Sequence, residues 1–396
     1  MYRSTLRRFP RGIVACTALI VAQMGCGTGV KPTPAQAPAV AAGQTTSSAP
    51  SISLPAQGTP AELLAFVAEL ESRPADGASR EEVLAVIRDR ATVFVQAADR
   101  ILSQVRPGEP FHAQAATLKL EGLSRLGRLG DERASEALAA YAESLVDDPD
   151  AALARQAWRQ LIDLRSREAF EAGAVDQVFG LVQAAVEVLA ADLTDGESAS
   201  LCMKLAGRVE QMEGADARAI EAYRLVGDLA EKSPDPQIHS LAEICAGAER
   251  RLSLPGRPME IRGTLLDGTP FDPRSLTGKV VIVDFWATWC RPCIEELPNV
   301  LAQYEKYHDR GLEVVGVSLD EDREAVSEFI MKTGLPWPVI IGTGEESGWN
   351  LPLAREYGIS GIPQLILIGR DGNVIMVNAQ GEALGERLAE IFKDAG

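Results

Sequence analysis

The pentapeptide Trp-Cys-Arg-Pro-Cys at residues 289–293 constrains the fold of this chain more than any other feature of its sequence. It follows the apolar run 280–283, and this order predicts a buried strand, a short turn and a helix that begins at the two cysteines. The unpaired N–H groups of the first helical turn would point toward Cys290 and favour its thiolate, the nucleophile of thiol–disulfide exchange. Arg291 adds a positive charge beside it, and Pro292 fits the first helical turn because its missing N–H costs little there. The pattern predicts a redox-active cysteine pair.

A lone CxxC pair also occurs as half of a zinc site. A structural zinc ion needs four ligands, which are usually cysteine and histidine. This chain has no second CxxC pair, and its only histidines are His112, His239 and His308. The sequence therefore favours redox chemistry, and we expect no metal site.

A second signal lies downstream, where Gly361-Ile362-Pro363 is separated from the apolar run 365–368 by a single residue. Residues 285–293 resemble the active-site segment of the thioredoxin superfamily, in which a cis proline faces the dithiol. The resemblance implies that Pro363 is this proline and that the backbone of Ile362 helps to position the substrate. Cis peptide bonds are largely confined to proline. Without the upstream motif, an ordinary trans proline that opens a strand would be the simpler interpretation.

The resemblance extends over about residues 255–396 and is closest to the TlpA/ResA-type family of thioredoxin-like proteins of the bacterial envelope. It implies a thioredoxin-like α/β fold, with a central mixed sheet flanked by helices, and thiol-disulfide oxidoreductase activity. The matching segments are GTLLDG at 263–268, SLTGK at 275–279, CIEELP at 293–298, VSLDEDREAV at 317–326, LPWPV at 335–339 and YGISGIP at 357–363.

Two acidic residues near the dithiol are candidates for proton transfer. Asp284 stands where thioredoxins carry a buried aspartate, whereas the TlpA/ResA-type family more often has an amide. Glu296 stands where ResA-type proteins use a glutamate. A carboxylate beside a buried thiol can accept its proton, so we expect Asp284 or Glu296 to serve Cys293. The alternatives are a polar residue near the strand end and a solvated helix residue, respectively. Trp289 is expected to frame the site and help position the substrate.

The composition excludes several classes of function. A net charge of −17 argues against a nucleic-acid partner, which would require a basic face. The chain has neither a phosphate-binding loop with its Lys-Ser/Thr nor a dinucleotide fingerprint after a strand. We therefore expect no bound cofactor, and we expect electrons to come from a protein or membrane dithiol.

The N-terminus has the pattern of a targeting segment. A short apolar run, 13–24, stops just before Gly25-Cys26 and follows a positively charged head that contains Arg3, Arg7, Arg8 and Arg11. The run is short for a membrane span, and residues 1–26 resemble a bacterial lipoprotein signal with lipidation at Cys26. Ordinary cleavage near residues 35–42 is the alternative. Residues 27–59 are rich in Pro, Ala, Ser and Thr and are typical of a flexible tether.

Residues 60–254 carry helical stripes of apolar residues and predict an all-α domain of roughly eight helices, as a bundle or a helical repeat. No clear repeat period is present. Cys202 and Cys245 lie in this domain, and the sequence leaves open whether they pair or stay free. The predicted thioredoxin-like domain, 255–396, follows.

Together these features predict an exported enzyme of the cell envelope or periplasm, anchored to the membrane by lipid and acting on protein disulfides. Cys290 would form the mixed disulfide and Cys293 would resolve it. The family resemblance favours a reductase in an oxidising compartment, for example in cytochrome c assembly. The alternatives are a disulfide oxidase or isomerase, a thiol peroxidase, and a scaffold protein that works through its helical domain.

Overall fold

The computed structural model describes residues 52–77 and 79–393. The predicted signal segment with Cys26, and most of the predicted tether, lie outside these residues. Contacts between residues divide the chain into two compact units, one up to Arg165 and one from Ser166 onward. Among the described residues, no helix is both long and apolar enough to cross a membrane.

The first unit is helical. Its helices are α1 (Pro60–Ser72), α2 (Arg80–Leu102), α3 (His112–Arg128), α4 (Glu132–Leu145) and the greater part of α5 (Ala151–Glu171). Local sequence sets their starts. Thr59 and Glu62 form a capping box at α1, and the side chains of Ser79 and Asp131 cap α2 and α4.

The second unit begins with the end of α5 and four further helices, which are α6 (Val175–Ala190), α7 (Gly196–Glu210), α8 (Asp216–Ala230) and α9 (Pro236–Leu252). The described residues from 60 to 252 thus contain nine helices, where the sequence pattern predicts about eight. Cys202 and Cys245 are buried free thiols, and burial raises the pKa of each to about 12. The structure therefore answers the question that the sequence left open.

The second unit also contains a five-stranded mixed sheet. Its strands are β1 (Val280–Trp286), β2 (Leu312–Ser318), β3 (Val339–Ile341), β4 (Gln364–Ile368) and β5 (Val374–Val377), and they lie in the order β3-β2-β1-β4-β5. Strand β1 pairs with β2 in parallel and with β4 in antiparallel register, β3 extends the parallel side, and β5 extends the antiparallel side. This is the predicted thioredoxin-like α/β fold. Its helices are α10 (Arg291–Tyr307), α11 (Arg323–Thr333), α12 (Pro352–Glu356) and α13 (Gly381–Lys393).

Helix α9 packs closely against the short helix α12 and the residues that follow it. A Cβ atom on Gly247 would lie 2.4 Å from the amide nitrogen of Gly358, so only glycine allows this approach. The guanidinium of Arg251, 2% exposed, donates to the carbonyl oxygen of Tyr357 at 3.1 Å. The boundary between the two compact units lies within α5, so helices α6 to α9 belong to the same unit as the sheet.

Candidate active site

The cysteine pair occupies the start of α10, as the sequence predicts. Cys290 is the N-cap residue, and its sulfur accepts a hydrogen bond from the amide of Cys293 at 3.2 Å. The two residues form a disulfide with their Cα atoms 5.3 Å apart, and both are 5% exposed. The exposed Arg291 guanidinium pairs with Glu295 at 2.8 Å, so part of the positive charge expected near Cys290 is neutralised.

Strand pairing brings the proline loop to the dithiol. The Ile362–Pro363 bond is cis, as the resemblance to thioredoxins implies, and β4 begins at the next residue. Because β4 lies beside β1 in the sheet, the loop meets the end of β1 and the start of α10. The carbonyl oxygen of Ile362 lies 3.7 Å from the sulfur of Cys290. Gln380 donates to the Pro363 carbonyl at 2.6 Å and holds the loop in place.

Asp284 lies within the central strand. It pairs with Gly316 of β2 on one side and with Leu365 of β4 on the other, and all residues of β1 are buried. Burial raises the pKa of Asp284 to about 7, and the negative charge of Glu296 adds to the shift. A carboxyl with this pKa can both accept and release a proton near neutral pH.

Glu296 is half-buried on α10 and is tied to the start of α13. Its Oε1 atom accepts hydrogen bonds from the amide of Gly381 and from the side chain of Asn299, both at 2.8 Å. Asn299 also donates to the carbonyl of Gly381 at 3.0 Å. Glu296 therefore has a structural contact in addition to its electrostatic effect on Asp284, and it is not a fully solvated helix residue.

Two exposed tryptophans stand beside the dithiol. Trp289 is 58% exposed and its ring lies 6.3 Å from that of Trp349, which is 44% exposed. By contrast, Trp286 is buried and packs against Phe329. Trp289 thus lies exposed on the surface beside the dithiol. Sequence reasoning missed Trp349, because it lies on a short 3-10 turn more than fifty residues from the motif.

Sequence reasoning also missed Asp320, which fixes the turn before the dithiol. Its carboxylate accepts from the amide of Thr288 at 3.0 Å and from the Thr288 hydroxyl at 2.6 Å. Ser318, at the end of β2, donates to the same carboxylate at 2.8 Å. The sequence did contain a signal for this contact. Thr288 and Asp320 follow the parallel neighbours β1 and β2, and polar residues that follow such strands meet at one edge of the sheet.

Within the described part of the chain, no group of three or more His, Cys, Asp or Glu residues is arranged to hold a metal ion. The chemistry that this arrangement supports is two-electron exchange between a dithiol and a disulfide, with a neighbouring carboxyl group for the proton.

Comparisons with known proteins point to the same chemistry. Residues 256–390 match the Redoxin family. The thiol-disulfide oxidoreductase ResA of Bacillus thuringiensis subsp. konkukian is 35% identical over 130 residues, which are 33% of this chain and 71% of that protein. ResA of Bacillus subtilis strain 168 is 32% identical over 111 residues, 28% of this chain and 59% of that protein.

Among solved structures, a thiol:disulfide interchange protein of the thioredoxin family from Chlorobium tepidum is 31% identical, with a TM-score of 0.30. The match covers 35% of this chain and 98% of that one. Together with the close pair of Cys290 and Cys293, the match to ResA shows that this chain belongs, through its C-terminal region, to the ResA-type family of thiol-disulfide oxidoreductases.

Proposed function

We propose that the protein is an exported reductase of protein disulfides, with Cys290 as the nucleophile and Cys293 as the resolving thiol. The observation that carries this proposal is the placement of Cys290 at the start of α10, 3.7 Å from the carbonyl of Ile362 in the cis-proline loop. There the first-turn N–H groups stabilise its thiolate, and a bound substrate can reach its sulfur.

The reaction proceeds in two exchanges. The Cys290 thiolate attacks one sulfur of the substrate disulfide, forms a mixed disulfide and releases the other substrate sulfur as a thiolate. The Cys293 thiolate then attacks the sulfur of Cys290, closes the internal disulfide and releases the second substrate sulfur. Two electrons pass from the enzyme to the substrate, and a protein or membrane dithiol in the envelope restores the reduced enzyme.

Asp284 accepts the proton of Cys293 in the second exchange. Burial disfavours the Cys293 thiolate, so this step needs a local base. With a pKa raised to about 7 by burial and by the Glu296 charge, Asp284 is suited to this role. Glu296 acts through Asp284 as a positioning and tuning residue.

The cis-proline loop holds the substrate as an extended strand. Among residues 52–77 and 79–393, no backbone carbonyl accepts a hydrogen bond from the amide of Gly361 or Ile362. A substrate segment that pairs with these groups would be held by main-chain hydrogen bonds, in the manner of β-strand addition. Pro363 fixes the direction of the loop, and Trp289 borders the surface that the substrate crosses.

Export and anchoring rest on the sequence of residues 1–59. Lipidation at Cys26 would leave a Pro- and Ala-rich tether between the membrane and the helical domain, 60–254, which precedes the redox domain, 255–396. Mass spectrometry of the mature N-terminus tests this. A lipid-modified Cys26 is expected, and an unmodified N-terminus beyond residue 26 would contradict it.

The reduction potential tests the direction of electron flow. The oxidised protein is equilibrated with defined dithiol–disulfide buffers, and the Cys290–Cys293 pair is quantified by alkylation. A reductase is expected near the potential of thioredoxin, roughly −270 mV, whereas a value near that of a strong oxidant, roughly −120 mV, would indicate an oxidase.

A further inference from the structure

We propose that the cleft between helix α7 and the cis-proline loop is the binding site for an extended segment of the disulfide substrate. The inference rests on the proposed function and adds to it a second wall of the substrate site. The cleft has a volume of about 770 Å³. It is lined by residues 360–364 on one side and by Lys204, Gly207 and Gln211 of α7 and its C-cap on the other.

The cleft begins where the chemistry takes place. Ile362 lines it, and the carbonyl of the same residue lies 3.7 Å from the sulfur of Cys290. A substrate whose cysteine reaches Cys290 and whose backbone pairs with Ile362 can extend its neighbouring residues into this cleft. Helix α7 therefore contacts the substrate on the side opposite the loop.

A buried network holds the two walls at a fixed separation. Glu210, the last residue of α7, accepts from both terminal nitrogens of Arg251, at 2.6 and 3.1 Å, and from the Tyr223 hydroxyl at 2.8 Å. Burial alone would raise the pKa of Glu210. The hydrogen bonds and charge of Arg251, with hydrogen bonds from Tyr223 and Asn378, instead hold that pKa below its usual range. The carboxylate therefore stays ionised and bonded.

The same network extends toward the cis-proline loop. Asn378 lowers the pKa of the Glu210 carboxyl, and its side-chain oxygen accepts from the side chain of Gln364 at 2.6 Å. Arg251, which bonds Glu210, also donates to the carbonyl oxygen of Tyr357 at 3.1 Å, and so joins the end of α7 to the segment that leads into the cis-proline loop. Ordered walls favour binding, because little conformational freedom remains to be lost when the substrate enters.

The shape of the cleft favours an extended peptide. Its volume is within the range of about 300–1,000 Å³ of sites that enclose a ligand of many atoms, whereas the exchanging disulfide itself needs only the few atoms around Cys290. Helix α7 is open at Gly207, where an added Cβ would have only the Tyr223 hydroxyl within 4 Å, at 3.9 Å. This leaves room for a substrate side chain against the helix.

The test fills the cleft from the α7 side. Gln211→Trp and Gly207→Phe each introduce a large side chain at the cleft, and Ser200→Trp introduces one at an exposed position of α7 that does not line it. The reduced full-length protein is mixed with a short unstructured peptide dimerised through one central cysteine, or with hydroxyethyl disulfide. Stopped-flow fluorescence gives both exchange rates.

We expect each filled variant to lower the ratio of the peptide rate to the hydroxyethyl disulfide rate about tenfold, or ~1.4 kcal/mol. Ser200→Trp should leave the ratio unchanged. An unchanged ratio in both filled variants would overturn the proposal, whether the two rates fall together or not at all. If the unaltered protein exchanges with neither disulfide, the proposed function itself fails.

Discussion

Glu296 lies one helical turn beyond Cys293, and its negative charge acts on the carboxyl of Asp284 in the central strand. Burial is the main reason why the pKa of Asp284 rises to about 7, and the Glu296 charge raises it further. We therefore assign the two carboxyl groups different parts in one proton transfer. Asp284 accepts the proton of Cys293, and Glu296 tunes the pKa of Asp284.

Asp284→Asn should stabilise the oxidised protein at neutral and alkaline pH. The pKa of Asp284 is raised in the folded state, so the unfolded chain ionises first, and the native protein loses stability as the pH rises from 3.8 to about 7. Above pH 7 the difference in free energy of unfolding should reach roughly 4 kcal/mol. Below pH 3.8 it should vanish. Urea unfolding at several pH values measures this, and a difference independent of pH would contradict the assignment.

Glu296→Gln should shift the pH profile of exchange to lower pH, because removal of its charge lowers the pKa of Asp284.

Asp284→Asn should slow the resolving step on the order of 100-fold. For both variants, the measurement is the rate at which a preformed mixed disulfide on Cys290 is resolved, as a function of pH. Double replacement should have little effect beyond Asp284→Asn alone, since Glu296 acts through Asp284. Unchanged profiles in all three variants would leave water as the base.

Gly247→Ala should destabilise the second unit by about 1–3 kcal/mol, a typical effect of overpacking. The new Cβ would lie 2.4 Å from the nitrogen of Gly358 and 2.7 Å from the carbonyl oxygen of Arg355, and backbone atoms cannot turn away. Gly196→Ala is the matched control, because an added Cβ meets nothing within 4 Å there.

Four of the five tryptophans lie in the second unit, so fluorescence during urea unfolding reports mainly on it. Equal midpoints for the two glycine variants would show that α9 does not need the close approach to Gly358.

Arg251→Leu should cost about 3–5 kcal/mol, because it leaves the Glu210 carboxylate buried without its partner. Leucine at both positions should recover much of that loss, since two apolar side chains need no partner. Thermal unfolding of the single and double variants tests this. If the single variant unfolds like the unaltered protein, the ion pair does not hold α7 in place.

The sequence was sufficient for those parts of the redox fold that depend on local pattern. The apolar run before Cys290, the proline within the first turn of α10 and the placement of Pro363 before β4 are each encoded within a few residues. Their structures follow from backbone geometry and helix capping, and these parts were predicted correctly.

Contacts between distant segments could not be predicted in this way. Arg251 bonds Tyr357 across 106 residues, and no periodic pattern in the sequence identifies Tyr357 as its partner. The free state of Cys202 and Cys245 likewise depends on how α7 and α9 pack, because cysteine spacing alone does not determine pairing.

The boundary between the two compact units could not be predicted from local sequence pattern either. The helical stripes from residue 60 to 254 look alike along the sequence, yet the compact units meet at residue 165. Helix α9 lies close to Gly358 of this unit at Gly247, and a glycine within a helix gives no sign of such a partner.

Trapping of the mixed disulfide tests the central claim most directly. Cys293→Ser and Cys290→Ser variants of the full chain are mixed with a peptide disulfide, quenched by alkylation and mapped by mass spectrometry. The Cys293→Ser protein is predicted to carry the peptide on Cys290, because the nucleophile remains and the resolving thiol is gone. The Cys290→Ser protein should carry none. A peptide adduct found only in the Cys290→Ser protein would contradict the assignment of the nucleophile.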